Sequence, residues 1–268
     1  MTDDMRETTM TARIARGSQS SYARFAGLMY LFTAFDITGV VILSRIRGGG
    51  TFLAAAHSIA ESETLYRIGL FCGLVGTLST VLLAIGLYVT LKPVDGNLAM
   101  TALLFRLAES VIGAVAIAFS FASLQIYLEA NHASAFNAGQ LGALADLVSH
   151  TSGVAINISV IFFSAGSTIF FYLFLKSAYI PRFLAVWGVL GSLFCMAAFV
   201  GNLLLPQSSD ALLGLGGLPI GIAEPVLGLW LLIRGIKTNA HASQTVGVAL
   251  RQADPPHRPA GYDPAGDR

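Results

Sequence analysis

Six long apolar runs, separated by more polar stretches of unequal length, dominate the chain: Phe25 to Leu43, Ile68 to Leu91, Leu98 to Leu128, Gly153 to Leu175, Phe183 to Leu205 and Leu218 to Ile236. Each reaches the ~20 residues that cross the hydrocarbon of a bilayer as a helix. The two-residue alternation of a barrel strand is absent. A segment in lipid that is not a barrel strand must satisfy its backbone as a helix. The pattern therefore predicts an all-α fold, a six-transmembrane-helix bundle over residues 22–237. Residues 1–21 and 238–268 read as polar, disordered tails, the second rich in proline and unable to bury a core. Within the first long loop, Thr51 to Ala60 reads as a short interfacial helix.

Composition agrees with the pattern. The 268 residues are 54% hydrophobic and only 12% charged, with a mean hydropathy of +0.69, where soluble domains carry about 25% charged residues. A net charge of +1 creates no global field to attract nucleic acid. Membrane lipid is the expected partner, with a small-molecule ligand and a homo-oligomer left open. Cys72 and Cys195 both fall inside apolar runs and read as small packed hydrophobes. No second cysteine or histidine stands at metal-ligand spacing, and no cofactor fingerprint, nucleophile elbow or phosphate-cradling loop appears. No metal site, cofactor or catalytic residue is assigned. The N-terminal stretch lacks the short apolar core and cleavage site of a removable signal peptide.

Short-loop Lys and Arg residues set orientation in a membrane. With both termini in the cytoplasm, the inside holds Arg6, Arg13, Arg16, Arg24, Lys92, Lys176, Arg182, Arg234 and Lys237. The outside holds Arg45, Arg47 and Arg67, all in the first outer loop and its flanks, which is the exception to the rule. The expected location is a cytoplasmic (inner) membrane.

Charges inside the apolar runs are the chemical signal. Asp36, Arg106, Glu109 and Glu224 interrupt three of them, and an ionisable group in hydrocarbon costs about 2.5–3.5 kcal/mol on insertion scales unless something answers it. At ~1.5 Å per residue the four lie ~13–18 Å from the inner ends of their helices, in one layer, and are expected to meet in the bundle interior. Three carboxyls against one guanidinium leave two excess negative charges. Either carboxyls hold protons there, or a cation or cationic ligand joins them. Pro225, directly after Glu224, deprives the Gly221 carbonyl of its helical partner.

Helical spacing groups further residues into faces. One face carries Ala102, Arg106, Glu109, Gly113, Ala116, Ser120 and Ser123, and another carries Asp146, His150, Gly153, Asn157, Ser164 and Thr168. Glycines line up at 69, 73 and 76 with Thr80, at 188 and 191 with Cys195, Ala198 and Asn202, and at 217, 221 and 228 with Glu224. Small residues on one face let membrane helices approach closely, and polar ones bond across the gap. Asp146, His150 and Asn157 are secondary polar candidates, the first two at the i, i+4 spacing that orients a base or begins a metal site. A faint echo between Leu87–Lys92 and Phe171–Lys176 hints at a repeat, though Tyr and Lys end many membrane helices.

Several segments together resemble one family. They are Ala23–Leu31, Gly86-Leu87-Tyr88 with Lys92-Pro93-Val94, Leu104–Ser110, Tyr179–Arg182 and Glu224–Ile233. They resemble a bacterial membrane family known as domain of unknown function 4386, over roughly Ala23 to Lys237. The resemblance implies a multi-helix domain of a bacterial cytoplasmic membrane and carries no assigned activity or catalytic residue. Three functions remain open. The first is a site built on Arg106, Glu109, Asp36 and Glu224 that binds or transports a small or lipid-like ligand, with Arg106 gripping an anionic group and a carboxyl exchanging a proton. The second is a structural or scaffolding protein whose ion pairs only fix helix packing. The third is a membrane enzyme using Asp146 and His150, or Glu224, as acid and base.

Overall fold

The computed structural model describes residues 2–48, 50–130, 136–205 and 210–236, with side chains from Gly17 onward and, in the last segment, from Leu213. Its described residues form seven helices: α1 (Thr2–Arg47), α2 (Phe52–Glu61), α3 (Glu63–Leu91), α4 (Gly96–Glu129), α5 (Ala138–Ser177), α6 (Arg182–Leu204) and α7 (Asp210–Arg234). All but α2 contain an apolar stretch long enough to cross a membrane. The short helix expected near Thr51 is α2. The stretch before Tyr22, expected as a tail, is helical from Thr2 and continuous with the first span. Residues 238–268, expected as a second tail, lie outside the described residues.

Helix ends follow capping chemistry more than hydropathy. Asn137 and Gln140 form a reciprocal capping box, in which the Gln140 N–H donates to Asn137 Oδ1 at 2.9 Å and satisfies one of the free donors of a first turn. That cap starts α5 fifteen residues before the apolar run at Gly153, absorbing most of the expected loop Glu129–Ser152. Asp95 caps α4 by accepting the Leu98 N–H at 3.1 Å, and Thr51 caps α2 by accepting that of Ala54 at 3.3 Å. Gly48, at a φ of 59°, follows the end of α1 in the left-handed conformation that glycine adopts at no steric cost.

The six long helices close into a ring in chain order. Each packs on its sequence neighbour, α1 on α3, α3 on α4, α4 on α5, α5 on α6 and α6 on α7, and α7 returns to α1. Small residues make the closest crossings. A Cβ on Gly27 would lie 2.5 Å from the Leu232 nitrogen and 2.6 Å from the Gly228 oxygen, so α1 meets α7 backbone to backbone. A Cβ on Gly39 would lie 2.5 Å from the Gly69 oxygen, which marks the crossing of α1 and α3.

Hydroxyls stitch α4 to α5. Ser120 and Ser152 lie 3.1 Å apart, as do Ser123 and Ser149. Ser152 also donates to the Ala116 carbonyl at 3.0 Å, and Ser159 to the Glu109 carbonyl at 2.9 Å. Such interhelical bonds average about 0.6 kcal/mol in membrane proteins, so their value here is register as much as stability.

Two apolar cores lie along the ring. One surrounds Tyr30, Leu87, Phe170, Phe174 and Leu227. The other packs Ile59 of α2 against Ile46, Tyr66, Leu124 and Tyr127. Two of the arginines flanking α2 meet partners close by. Arg47 stands 5.7 Å from the Tyr127 ring centroid and donates to the Tyr66 hydroxyl at 3.4 Å, while Arg67 pairs with Glu63 at 2.7 Å. Both are held by local partners.

Candidate functional site

Arg106 is the largest of the fully buried side chains, at 2% exposure. A guanidinium cannot shed its charge in a protein, so its surroundings must answer it. Glu109, one turn further along α4, brings Oε2 to 3.2 Å from Arg106 Nε. That approach is off the line of the N–H, and neither atom makes a directed hydrogen bond. From α7, Glu224 Oε1 stands 3.7 Å from Arg106 Nη1. Ser167 of α5 bridges these two, accepting from Arg106 Nη1 at 3.2 Å and donating to Glu224 Oε1 at 2.9 Å. Beneath the guanidinium lies the Phe163 ring, 4.7 Å away at its centroid, an arrangement that favours a cation over an aromatic face.

Glycine shapes the room for these charges. A Cβ on Gly166 would lie 3.0 Å from Arg106 Cγ and Cδ, so the aliphatic stem runs against bare α5 backbone. A Cβ on Gly76 would fall on the Asp36 carboxyl, which seats Asp36 against α3.

Three of the four expected charges therefore touch. The fourth, Asp36, is half-buried and shares the same cavity, about 340 Å³ in volume, to which all six long helices contribute. Among the described residues Asp36 makes no ion pair within 4 Å. Tyr30 and Thr33 of α1, Thr80 of α3, Phe163 of α5, Cys195 and Phe199 of α6 and Ile220 of α7 complete much of the wall. Cys195, expected as packing, is both buried and part of that wall. On α7, Gly217 and Gly221 also line it, and a Cβ on either would meet nothing within 4 Å. α7 stays helical through Pro219 and Pro225, and each ring removes an N–H from the helical ladder. Pro225 leaves the Gly221 carbonyl without its usual partner beside the cavity.

The secondary candidates go elsewhere. Asp146 and His150 are exposed on α5 and are not part of the cavity wall. The face expected to join them to Asn157, Ser164 and Thr168 splits: its first turns look outward and its later turns look inward. Asn157 is buried at 7% exposure, and its Oδ1 lacks a hydrogen-bond partner among the described residues, yet it too stands apart from the wall. Among the residues of α5 that reach α4 or α7 are Ser149, Ser152, Ser159, Phe163 and Ser167. Their spacing of 3, 7, 4 and 4 marks one helical stripe, a signal carried by the sequence but less conspicuous than the acid and histidine nearby.

No curated protein and no solved structure matches the chain. A family model described as Domain of unknown function (DUF4386) matches residues 25–235 and so reaches all six spans together with Asp36, Arg106, Glu109 and Glu224. This multi-pass membrane protein belongs to that DUF4386 family.

Proposed function

We propose that this protein binds a small or lipid-like ligand inside the membrane, at the cavity edged by Asp36, Arg106, Glu109 and Glu224, with one of the carboxyls exchanging a proton as the ligand comes and goes. The observation that carries the reading is the coincidence of the ionic cluster with a cavity of about 340 Å³. Ligand pockets begin at about 300 Å³ and combine apolar walls with a few placed polar groups, and a purely structural ion pair needs no empty space beside it. We place the protein in a cytoplasmic membrane with both termini inside. Lys92, Lys176, Arg182 and Arg234 near the ends of α3 to α7 support that orientation, and the local partners of Arg47 and Arg67 weaken the objection to it.

A second reading has its own support. Arg106 is already engaged by Glu109, Glu224 and Ser167, as in a network that only fixes helix register. The same engagement argues against Arg106 as a clamp for an anion, which would have to displace two carboxylates. Acid–base catalysis by Asp146 and His150 draws no support from their exposed positions.

Native mass spectrometry of the purified protein separates the readings. Ligand binding expects a retained species, released by Gly221→Leu, which fills open space without touching an ion pair. An empty spectrum for the native protein, extracted gently from its own membrane, would favour the structural reading.

A further inference from the structure

We infer that the ligand is an organic cation with an apolar arm, an amine or quaternary ammonium amphiphile, which enters from the bilayer between α1 and α7 and pairs with Asp36. This rests on the binding reading above and names its substrate class and route.

The route follows from where helices touch. α1 and α7 meet at Gly27 and Gly228. Throughout, α1 packs on α3, through Ala26 on Gly86, Asp36 on Gly76 and Gly39 on Gly69. Meanwhile α7 leans on α6, where a Cβ on Gly191 would lie 3.1 Å from the Ile220 nitrogen and one on Gly216 would press on Ala198. Beyond the crossing, the cavity wall carried by both helices, Ala34 and Ile37 on α1 with Gly221 and Pro225 on α7, is exposed on the flank of the bundle. In a bilayer that flank is covered by lipid, so an amphiphile can reach the cavity without crossing water.

The charge class follows from the wall. Arg106 is answered by Glu109 and Glu224 at 3.2 and 3.7 Å, and the trio carries one net negative charge when ionised. Asp36 adds a second and has no ion-pair partner within 4 Å among the described residues. An anion would face three carboxyls, whereas a cation would balance the excess. A hard metal ion needs six or more oxygens, and this wall alternates its few oxygens with Phe163, Phe199 and Ile220. Aromatic faces beside a carboxylate suit a soft, weakly hydrated ammonium.

The test is a thermal-shift titration of the full-length protein in nanodiscs with decyltrimethylammonium, decanoate and decanol, repeated on Asp36→Asn and Gly221→Leu. The expected result is saturable stabilisation by decyltrimethylammonium alone, weakened tenfold or more in Asp36→Asn and absent in Gly221→Leu. Asp36→Asn serves as its own folding control, since it breaks no ion pair. Preferential stabilisation by decanoate or decanol would overturn the cation inference while leaving the binding cavity standing, as would an Asp36→Asn variant that binds decyltrimethylammonium as tightly as the native protein. Silence from all three probes, together with an empty native mass spectrum, would overturn the cation inference and the binding reading alike.

Discussion

At the residue scale, the cost of Arg106 is the cost of a permanent charge placed where water does not reach. Removing one member of a buried pair leaves the other uncompensated, at about 3–5 kcal/mol, whereas replacing the whole set by apolar or neutral isosteres is often close to neutral. Arg106→Ala is therefore expected to lower stability in detergent by about that amount, read from thermal unfolding followed by circular dichroism. The triple replacement Arg106→Met, Glu109→Leu and Glu224→Gln should recover most of the loss, because Ser167 can still donate to the new amide. A triple variant as unstable as the single one would mean that Arg106 is held for its shape and not its charge. Asp95, outside the spans, gives a milder pH-dependent effect. The Leu98 N–H that donates to its carboxylate, and secondarily the Lys176 ammonium at 3.4 Å, hold that carboxyl below the usual aspartate range. A depressed folded-state value means stability that is full above the unfolded-state range and is lost as pH falls through the folded value. Asp95→Asn should flatten the acid limb of the melting temperature against pH, and an unchanged limb would remove Asp95 from the account.

At the element scale, the glycines divide into two kinds that a sequence cannot tell apart. Gly27 and Gly228 sit where backbones touch, and a Cβ on Gly228 would come 2.5 Å from Tyr30 Cβ. Gly27→Ala is expected to force α1 and α7 apart at the 1–3 kcal/mol typical of overpacking, about as much as Gly228→Ala. Gly221 faces open space, so Gly221→Ala should be neutral or slightly stabilising, since glycine inside a helix costs roughly 0.5–1 kcal/mol relative to alanine. Melting temperatures of the three single variants measure the contrast directly, and equal losses at all three positions would refute the placement of the cavity against α7. The starts of α5 and α7 make a related point. Hydropathy places the entrances at Gly153 and Leu218, but a helix begins where its first free N–H groups find acceptors, which for α5 is the Asn137 cap.

At the scale of the whole molecule, six spans in a closed ring put the turns after Arg47 and Glu61 at one end and those around Lys92 and Ser177 at the other. Gln19 ties the latter end together, donating to the Thr90 carbonyl at 2.7 Å and the Tyr179 hydroxyl at 3.2 Å. With the termini inside, an impermeant maleimide applied to intact cells should label Glu61→Cys and leave Lys92→Cys unmodified until the cells are opened. The native Cys72 and Cys195 lie within spans and serve as background. The opposite labelling pattern would reverse the proposed orientation.

Composition and periodicity alone determined the class of solvent and the number of spans. Those properties are one-dimensional: a helix rises by a constant step, and hydrocarbon tolerates only long apolar runs. Counting depth along each helix also gave the expectation that Asp36, Arg106, Glu109 and Glu224 share one layer. Which groups touch depends on how each helix is rotated about its axis and which neighbour it leans on, and packing across the ring decided both. Packing put Ser167 and Phe163 beside Arg106, turned Asp146 and His150 outward, set Asp36 against Gly76, and shaped a cavity lined by Asp36 and the ion pairs together.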